Sequence, residues 1–183
     1  MKKLIFIFLA TVLLFGCSKN DETPTAATDQ LPPATQTGSN KVGCLVNGQV
    51  LLPRGSNPFG PPISTCYYQF LNNDFEFGLG YTNNQDVNFL RSIYIFTNKK
   101  QFIQGQTYII SNNQTTNSIY AQYSPDTFMG SFNTNLQNTG ELLITKLDQT
   151  NAIISGTFWF DAVNSAGAKV QVREGRFDMQ YSQ

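Results

Sequence analysis

Ile153-Ile154-Ser155-Gly156-Thr157-Phe158-Trp159-Phe160-Asp161-Ala162 is the most regular stretch of the chain. Ile154, Gly156, Phe158, Phe160 and Ala162 fall on one side of a two-residue repeat, and Ile153, Ser155, Thr157, Trp159 and Asp161 on the other. Successive side chains of a strand point to opposite faces, so the spacing predicts a β-strand with an apolar inner face and a more polar outer one.

The same period continues in both directions. Beyond a turn at Asn164 to Gly167, Val170 and Val172 share one phase, while Phe177, Met179 and Tyr181 share the opposite one. A one-residue slip at Glu174-Gly175 is what a β-bulge produces. Upstream, Glu141 to Leu147 reads as a strand ending in the turn Asp148-Gln149-Thr150-Asn151, and Phe128 to Asn133 as a weaker one. Phe89 to Phe96, Thr107 to Ser111 and Ser118 to Ser124 carry the β-branched and aromatic residues that strands favour. Phe75, Phe77 and Leu79 alternate with Glu76, Gly78 and Gly80, and Asn72-Asn73-Asp74 joins this run to Thr65 to Leu71 in a predicted hairpin. Another hairpin links Cys44-Leu45-Val46 to Gln49 to Leu52 through Asn47-Gly48, the pair a type I′ turn demands. Between the hairpins, Pro53, Pro58, Pro61 and Pro62 mark a long loop. No stretch after Cys17 has helical periodicity over more than two turns. The expected fold is all-β: an antiparallel β-sandwich, with an open or closed β-barrel as the alternative.

Several of these segments resemble a known group. Leu147-Asp148, Ile154-Ser155-Gly156-Thr157-Phe158, Val172, Glu174-Gly175-Arg176-Phe177-Asp178 and the opening Val46-Asn47-Gly48 are similar to small uncharacterised lipoproteins of Bacteroidota. The resemblance covers most of Lys41 to Gln183. It implies an exported β-rich domain and no particular activity.

The N-terminus carries an address. Lys2 and Lys3 precede an uncharged apolar run from Leu4 to Phe15, the order of a secretory signal peptide, and the run is too short to span a bilayer comfortably. Leu14, Gly16 and Cys17 resemble a bacterial lipobox. That resemblance implies removal of residues 1–16 and lipidation of Cys17, with enough acyl chain to hold the protein on a membrane. Ser18 to Lys41 has almost no large apolar residue and reads as a disordered tether, leaving residues 42–183 as one domain. Ser18-Lys19-Asn20-Asp21-Glu22 resembles the charged signal that sends Bacteroidota lipoproteins to the cell surface. The expected location is the outer membrane, facing outward, with the periplasmic face as the alternative.

Composition narrows the chemistry. Without residues 1–16 the chain has 10 basic and 12 acidic residues, which argues against a nucleic-acid footprint. There is no histidine, so Ser-His-Asp and Cys-His machinery and His-ligated metals are excluded. With Cys17 lipidated, Cys44 and Cys66 remain, and an oxidising compartment favours a disulfide between them. Closing a loop of roughly 20 residues would contribute on the order of 3 kcal/mol. The few carboxylates suggest no catalytic pair, and Arg176 with Asp178 reads as a local ion pair. Asn72-Asn73-Asp74 and Asn83-Asn84-Gln85-Asp86 offer oxygen ligands without the spacing of a calcium loop, so no metal and no cofactor is expected. Trp159, on a face with Ser155, Thr157 and Asp161, is the candidate ligand contact, with Asp161 beside it. Together these features point to a non-catalytic binding module that takes a glycan or an envelope protein. The alternative is an accessory subunit of an envelope complex.

Overall fold

The computed structural model describes residues 26–56, 58, 62–85, 90–97, 99–112, 117–125 and 130–183. Residues 1–25 lie outside it, and with them the expected signal peptide, Cys17 and the Ser18 to Glu22 segment. Among the described residues, a short 3-10 turn at Ala27–Gln30 precedes eleven strands. These are β1 Lys41–Val46, β2 Gln49–Leu51, β3 Ser64–Leu71, β4 Asp74–Asn83, β5 Arg91–Thr97, β6 Thr107–Ile110, β7 Ile119–Ser124, β8 Phe132–Asn133, β9 Gly140–Asp148, β10 Ile153–Val163 and β11 Lys169–Gln180.

Local chemistry explains the hairpins. Asn47 and Gly48 both have positive φ, and β1 pairs with β2 across them. Asn72 and Asn73 do the same between β3 and β4, a conformation that asparagine tolerates better than most residues. In β11, three residues advance from Val172 to Gly175 while β10 advances two, from Phe160 to Phe158. The bulge therefore falls at Arg173-Glu174, where Glu174 has a φ of 54°. Gly175 follows because a Cβ there would meet the Phe158 ring.

All strands join one sheet, in the order β2-β1-β11-β10-β9-β6-β7-β5-β4-β3. Neighbours are antiparallel except β6 and β7, which meet in parallel at Ile110 and Ile119. The short β8 lies off this path and closes it. Asn133 pairs with Val163 of β10 on one side and Gln122 of β7 on the other. Strands β10, β9, β6, β7 and β8 thus form a five-stranded closed barrel, flanked by β11-β1-β2 and by β5-β4-β3. The two flanks meet at isolated bridges from Arg54 to Asn83 and from Tyr67 to Ser182. The all-β antiparallel expectation holds, and of its two forms the chain adopts the barrel.

One apolar core fills the interior. Ring contacts run through it from Phe75 to Tyr68, Phe102, Phe77, Phe177, Phe158 and Phe160. The buried phenols find partners, as buried polar groups must. Tyr68 Oη accepts the Phe102 N–H at 2.9 Å, and Tyr81 Oη donates to Cys44 Sγ at 3.0 Å.

Two expectations are corrected here. Cys44 and Cys66 are both buried and free rather than joined in a disulfide. Cys44 lies on β1, between β2 and β11, whereas Cys66 lies on β3 against β4, so the sheet does not place the two strands side by side. Burial pushes the Cys44 thiol up to about 12, and raises Cys66 as well, which keeps both protonated and unreactive. The folded part also reaches upstream of residue 42, into the stretch expected to be a tether. Leu31 is buried, and residues 35–39 are bound to β11 through Asp178.

Asp178 is the reason. It is 1% exposed, on β11. Its Oδ2 accepts from Thr35 Oγ1 at 2.7 Å, Thr37 N at 3.0 Å, Thr37 Oγ1 at 3.2 Å, Ser39 N at 3.2 Å and Ser39 Oγ at 2.9 Å. Its Oδ1 accepts from Gly38 N and Ser155 Oγ, both at 2.7 Å. Gly38, with a φ of 72°, lets three successive N–H groups converge on the carboxylate, an anion nest filled by the protein itself. Burial pushes the Asp178 carboxyl up, but the donors from Thr35, Thr37, Ser155 and Gly38 outweigh it and hold the group well below the usual carboxylate range. The expected ion pair from Arg176 to Asp178 is absent. Arg176 instead meets Glu174 at 3.2 Å.

Candidate functional site

Two regions of the outer surface combine aromatic and polar groups. The first surrounds Trp159. Strands β9, β10 and β11 place Glu141, Trp159 and Arg173 side by side on the outer face, in a groove of about 550 Å³ that Thr107, Thr157 and Arg176 also line. Trp159 is half-buried, and its indole N–H donates to Glu141 Oε2 at 3.3 Å. The Arg173 guanidinium stands 5.3 Å from the centre of the indole ring, a cation–π arrangement, and meets Asp161 Oδ1 at 2.6 Å. The bulge puts Arg173 there, because the extra residue re-aims the β11 side chains. Trp159 and Asp161, both read from the sequence as ligand contacts, are thus brought together through Arg173. In this arrangement Arg173 takes up one ring face and Glu141 takes up the indole N–H. Ser155, assigned to the same face, is turned to the buried Asp178 instead.

The second region lies on the opposite flank. Tyr67 of β3, Gly78 of β4, Phe96 of β5 and Tyr120 of β7 are successive register partners across four strands. Tyr94 is opposite Gly80 and beside Gln122 in the adjoining row. The glycines make this possible. A Cβ on Gly78 would enter the Tyr67 ring, and one on Gly80 would press on Tyr94, so the rings lie over bare backbone. Tyr94 and Phe96 stack at 5.7 Å and 10°, and Phe96 meets Tyr120 at 5.5 Å. All four rings are half-buried. The result is a shallow aromatic face with Gln69, Glu76 and Gln122 in the same outward phase.

A family model of a domain of unknown function, DUF6252, matches residues 75–179, more than half of the chain. The chain belongs to this family. No curated protein and no solved structure matches it. The DUF6252 match spans β4 to β11, and so takes in the closed barrel, Trp159, the bulge and Asp178. It agrees with the sequence expectation of an uncharacterised β-rich domain.

The aromatic face of this DUF6252 domain was not picked out from the sequence, although a signal exists. In Glu76-Phe77-Gly78-Leu79-Gly80 the outward phase reads Glu-Gly-Gly. Two glycines on the exposed side of an alternating strand weaken it unless something covers them. Neighbouring strands cover them here, and which strands neighbour β4 is a matter of topology. Of the calcium-ligand runs, Asp74 is occupied by Lys99 at 3.4 Å, and Asp86 lies outside the described residues.

Proposed function

We propose that the chain is a non-catalytic binding module, held on the outer membrane by lipid on Cys17, that takes a glycan on the aromatic face of β3, β4, β5 and β7. The observation that carries this reading is the row of half-buried rings laid flat over Gly78 and Gly80. A sugar ring presents an apolar C–H face that packs on an aromatic face, and its hydroxyls need amide or carboxylate partners at the rim. Gln69, Glu76 and Gln122 are placed to supply them. The Trp159 groove is secondary, because Arg173 and Glu141 already engage the indole.

A glycan array with the full-length chain and its variants tests the assignment. Tyr94→Ala and Phe96→Ala should each weaken the best ligand at least tenfold, about 1.4 kcal/mol. Trp159→Ala should change it less than threefold. Loss confined to Trp159→Ala would move the site to the groove. No binding by the native chain to any glycan would sink the reading.

An accessory role in an envelope complex is favoured by a different observation. Phe70, Leu71 and Ile103 are 58%, 44% and 62% exposed, and Phe70 and Ile103 line one depression with Phe75 and Tyr108. Exposed apolar groups gathered in this way mark interaction surfaces. For the address, protease treatment of intact cells should release peptides from Lys41 onward. Protection until the outer membrane is broken would place the domain in the periplasm and turn the search to crosslinked partners.

A further inference from the structure

The seam where the two flanks of the sheet meet holds a second kind of site. Asn83, near the end of β4, has Arg91 of β5 as its register partner on one side and Arg54, beyond β2, on the other. The backbone confirms the seam: Arg54 N donates to Thr82 O at 3.3 Å, and Asn84 N donates to Arg54 O at 3.0 Å. Residues directly opposite one another in bridged extended segments project from the same face, so an Arg-Asn-Arg row runs across β5, β4 and the bridged segment at Arg54. With strands about 4.8 Å apart, the two arginine backbones stand about 10 Å apart, within a Debye length. All three side chains line a depression of about 700 Å³, together with Gln30 and Gln85.

Charge and hydrogen bonding in this depression are unbalanced. The chain has four arginines, and Arg173 and Arg176 are ion-paired, whereas among the described residues Arg54 and Arg91 have no carboxylate partner. Among the described residues, no carboxylate lines the depression either. Arg91 Nε is buried without a hydrogen-bond partner, an arrangement that is costly unless something fills it. Asn83 Oδ1 is taken by the Gln85 N–H at 3.2 Å, which leaves its amide N–H₂ as the remaining polar end.

We infer that this depression binds a phosphate monoester of a sugar or polyol. Two guanidiniums balance a phosphate dianion, and the planar fork of each matches two phosphate oxygens. The volume exceeds what a bare phosphate needs, and the amides of Gln30, Asn83 and Gln85 suit the hydroxyls of an attached polyol. None of its lining residues belongs to the Trp159 groove or to the aromatic face, so the inference stands apart from the glycan reading.

The test is calorimetric titration of the full-length chain in non-ionic detergent, at fixed ionic strength. The probes are inorganic phosphate, glucose 1-phosphate, glucose and acetate. Saturable binding of both phosphates is expected, with glucose 1-phosphate at least fivefold tighter than inorganic phosphate. Acetate should be at least tenfold weaker, and glucose should give no heat. Arg54→Gln and Arg91→Gln should each lower affinity at least tenfold, and Arg91→Lys, a point charge without the fork, should retain part of it. Because Arg54 is exposed, Arg54→Gln should keep the native unfolding midpoint, which separates lost binding from lost folding. Equal affinity in the wild-type chain and Arg54→Gln, or equal affinity for acetate and phosphate, would overturn the assignment. Inorganic phosphate binding as tightly as glucose 1-phosphate would overturn its polyol part.

Discussion

Asp178→Ala is expected to destabilise the fold by about 3–5 kcal/mol, the range seen when one partner of a buried charged network is removed. The carboxylate accepts from Thr35, Thr37, Gly38, Ser39 and Ser155, so its loss leaves buried donors without acceptors. Urea unfolding measures the change. Asp178→Asn should restore little, because its N–H₂ would face donors rather than acceptors. A cost under about 1 kcal/mol for Asp178→Ala would mean that water replaces the carboxylate and that residues 35–39 are not bound through it. The same group sets an acid limit. Its carboxyl titrates far lower in the folded chain than the ordinary value of about 3.9 in the unfolded one, so protons bind preferentially to the unfolded state. The stabilisation is full above about pH 5 and is lost progressively as pH falls below about 4. Asp178→Ala should therefore show a flatter loss of stability between pH 5 and pH 2 than the native chain, and protease should reach residues 35–39 of the variant more readily.

Phe160→Ala should cost about 3–5 kcal/mol through lost apolar burial and the cavity left behind. Phe160 is 0% exposed and lies in the wall of the closed barrel, opposite Gly140 of β9 and Val172 of β11. A Cβ on Gly140 would run into Phe160, which shows how little slack this part of the wall has. Leu136→Ala, at a residue 69% exposed, should stay within about 0.5 kcal/mol. Trp159 is the only tryptophan and is next in sequence to Phe160, so its fluorescence follows the unfolding of β10 directly. Similar costs for the two variants would mean that the interior is fluid rather than packed.

These two residues also separate what is local from what is not. Phe160 is readable as a core residue because it shares a two-residue phase with Ile154, Gly156, Phe158 and Ala162, and a strand buried on one face can be built in no other phase. The bulge in β11 is readable for the same reason, expected at Glu174-Gly175 and found at Arg173-Glu174, since only an extra residue carries Val170 and Val172 and then Phe177 and Met179 onto the same inner face. Asp178 looks like one half of an exposed ion pair with Arg176, since nothing adjacent to it in sequence shows that donors more than 130 residues away will surround it. Trp159 and Asp161 are correctly put on one outer face, but their link through Arg173 depends on the bulge and on which strand lies next to β10.

Alternation, turn chemistry and composition by themselves determined that this chain forms β-strands, where its hairpins turn, which face of most strands is inward, and that histidine chemistry is absent. All of these follow from interactions spanning a few residues or from simple inventory. Tertiary structure alone decided that the sheet closes through Asn133, that residues 35–39 belong to the fold, that Cys44 and Cys66 stay apart, and that Arg54, Asn83 and Arg91 form one row. Each depends on strand order, and strand order reflects how the whole apolar surface is best buried, which no local stretch of sequence encodes.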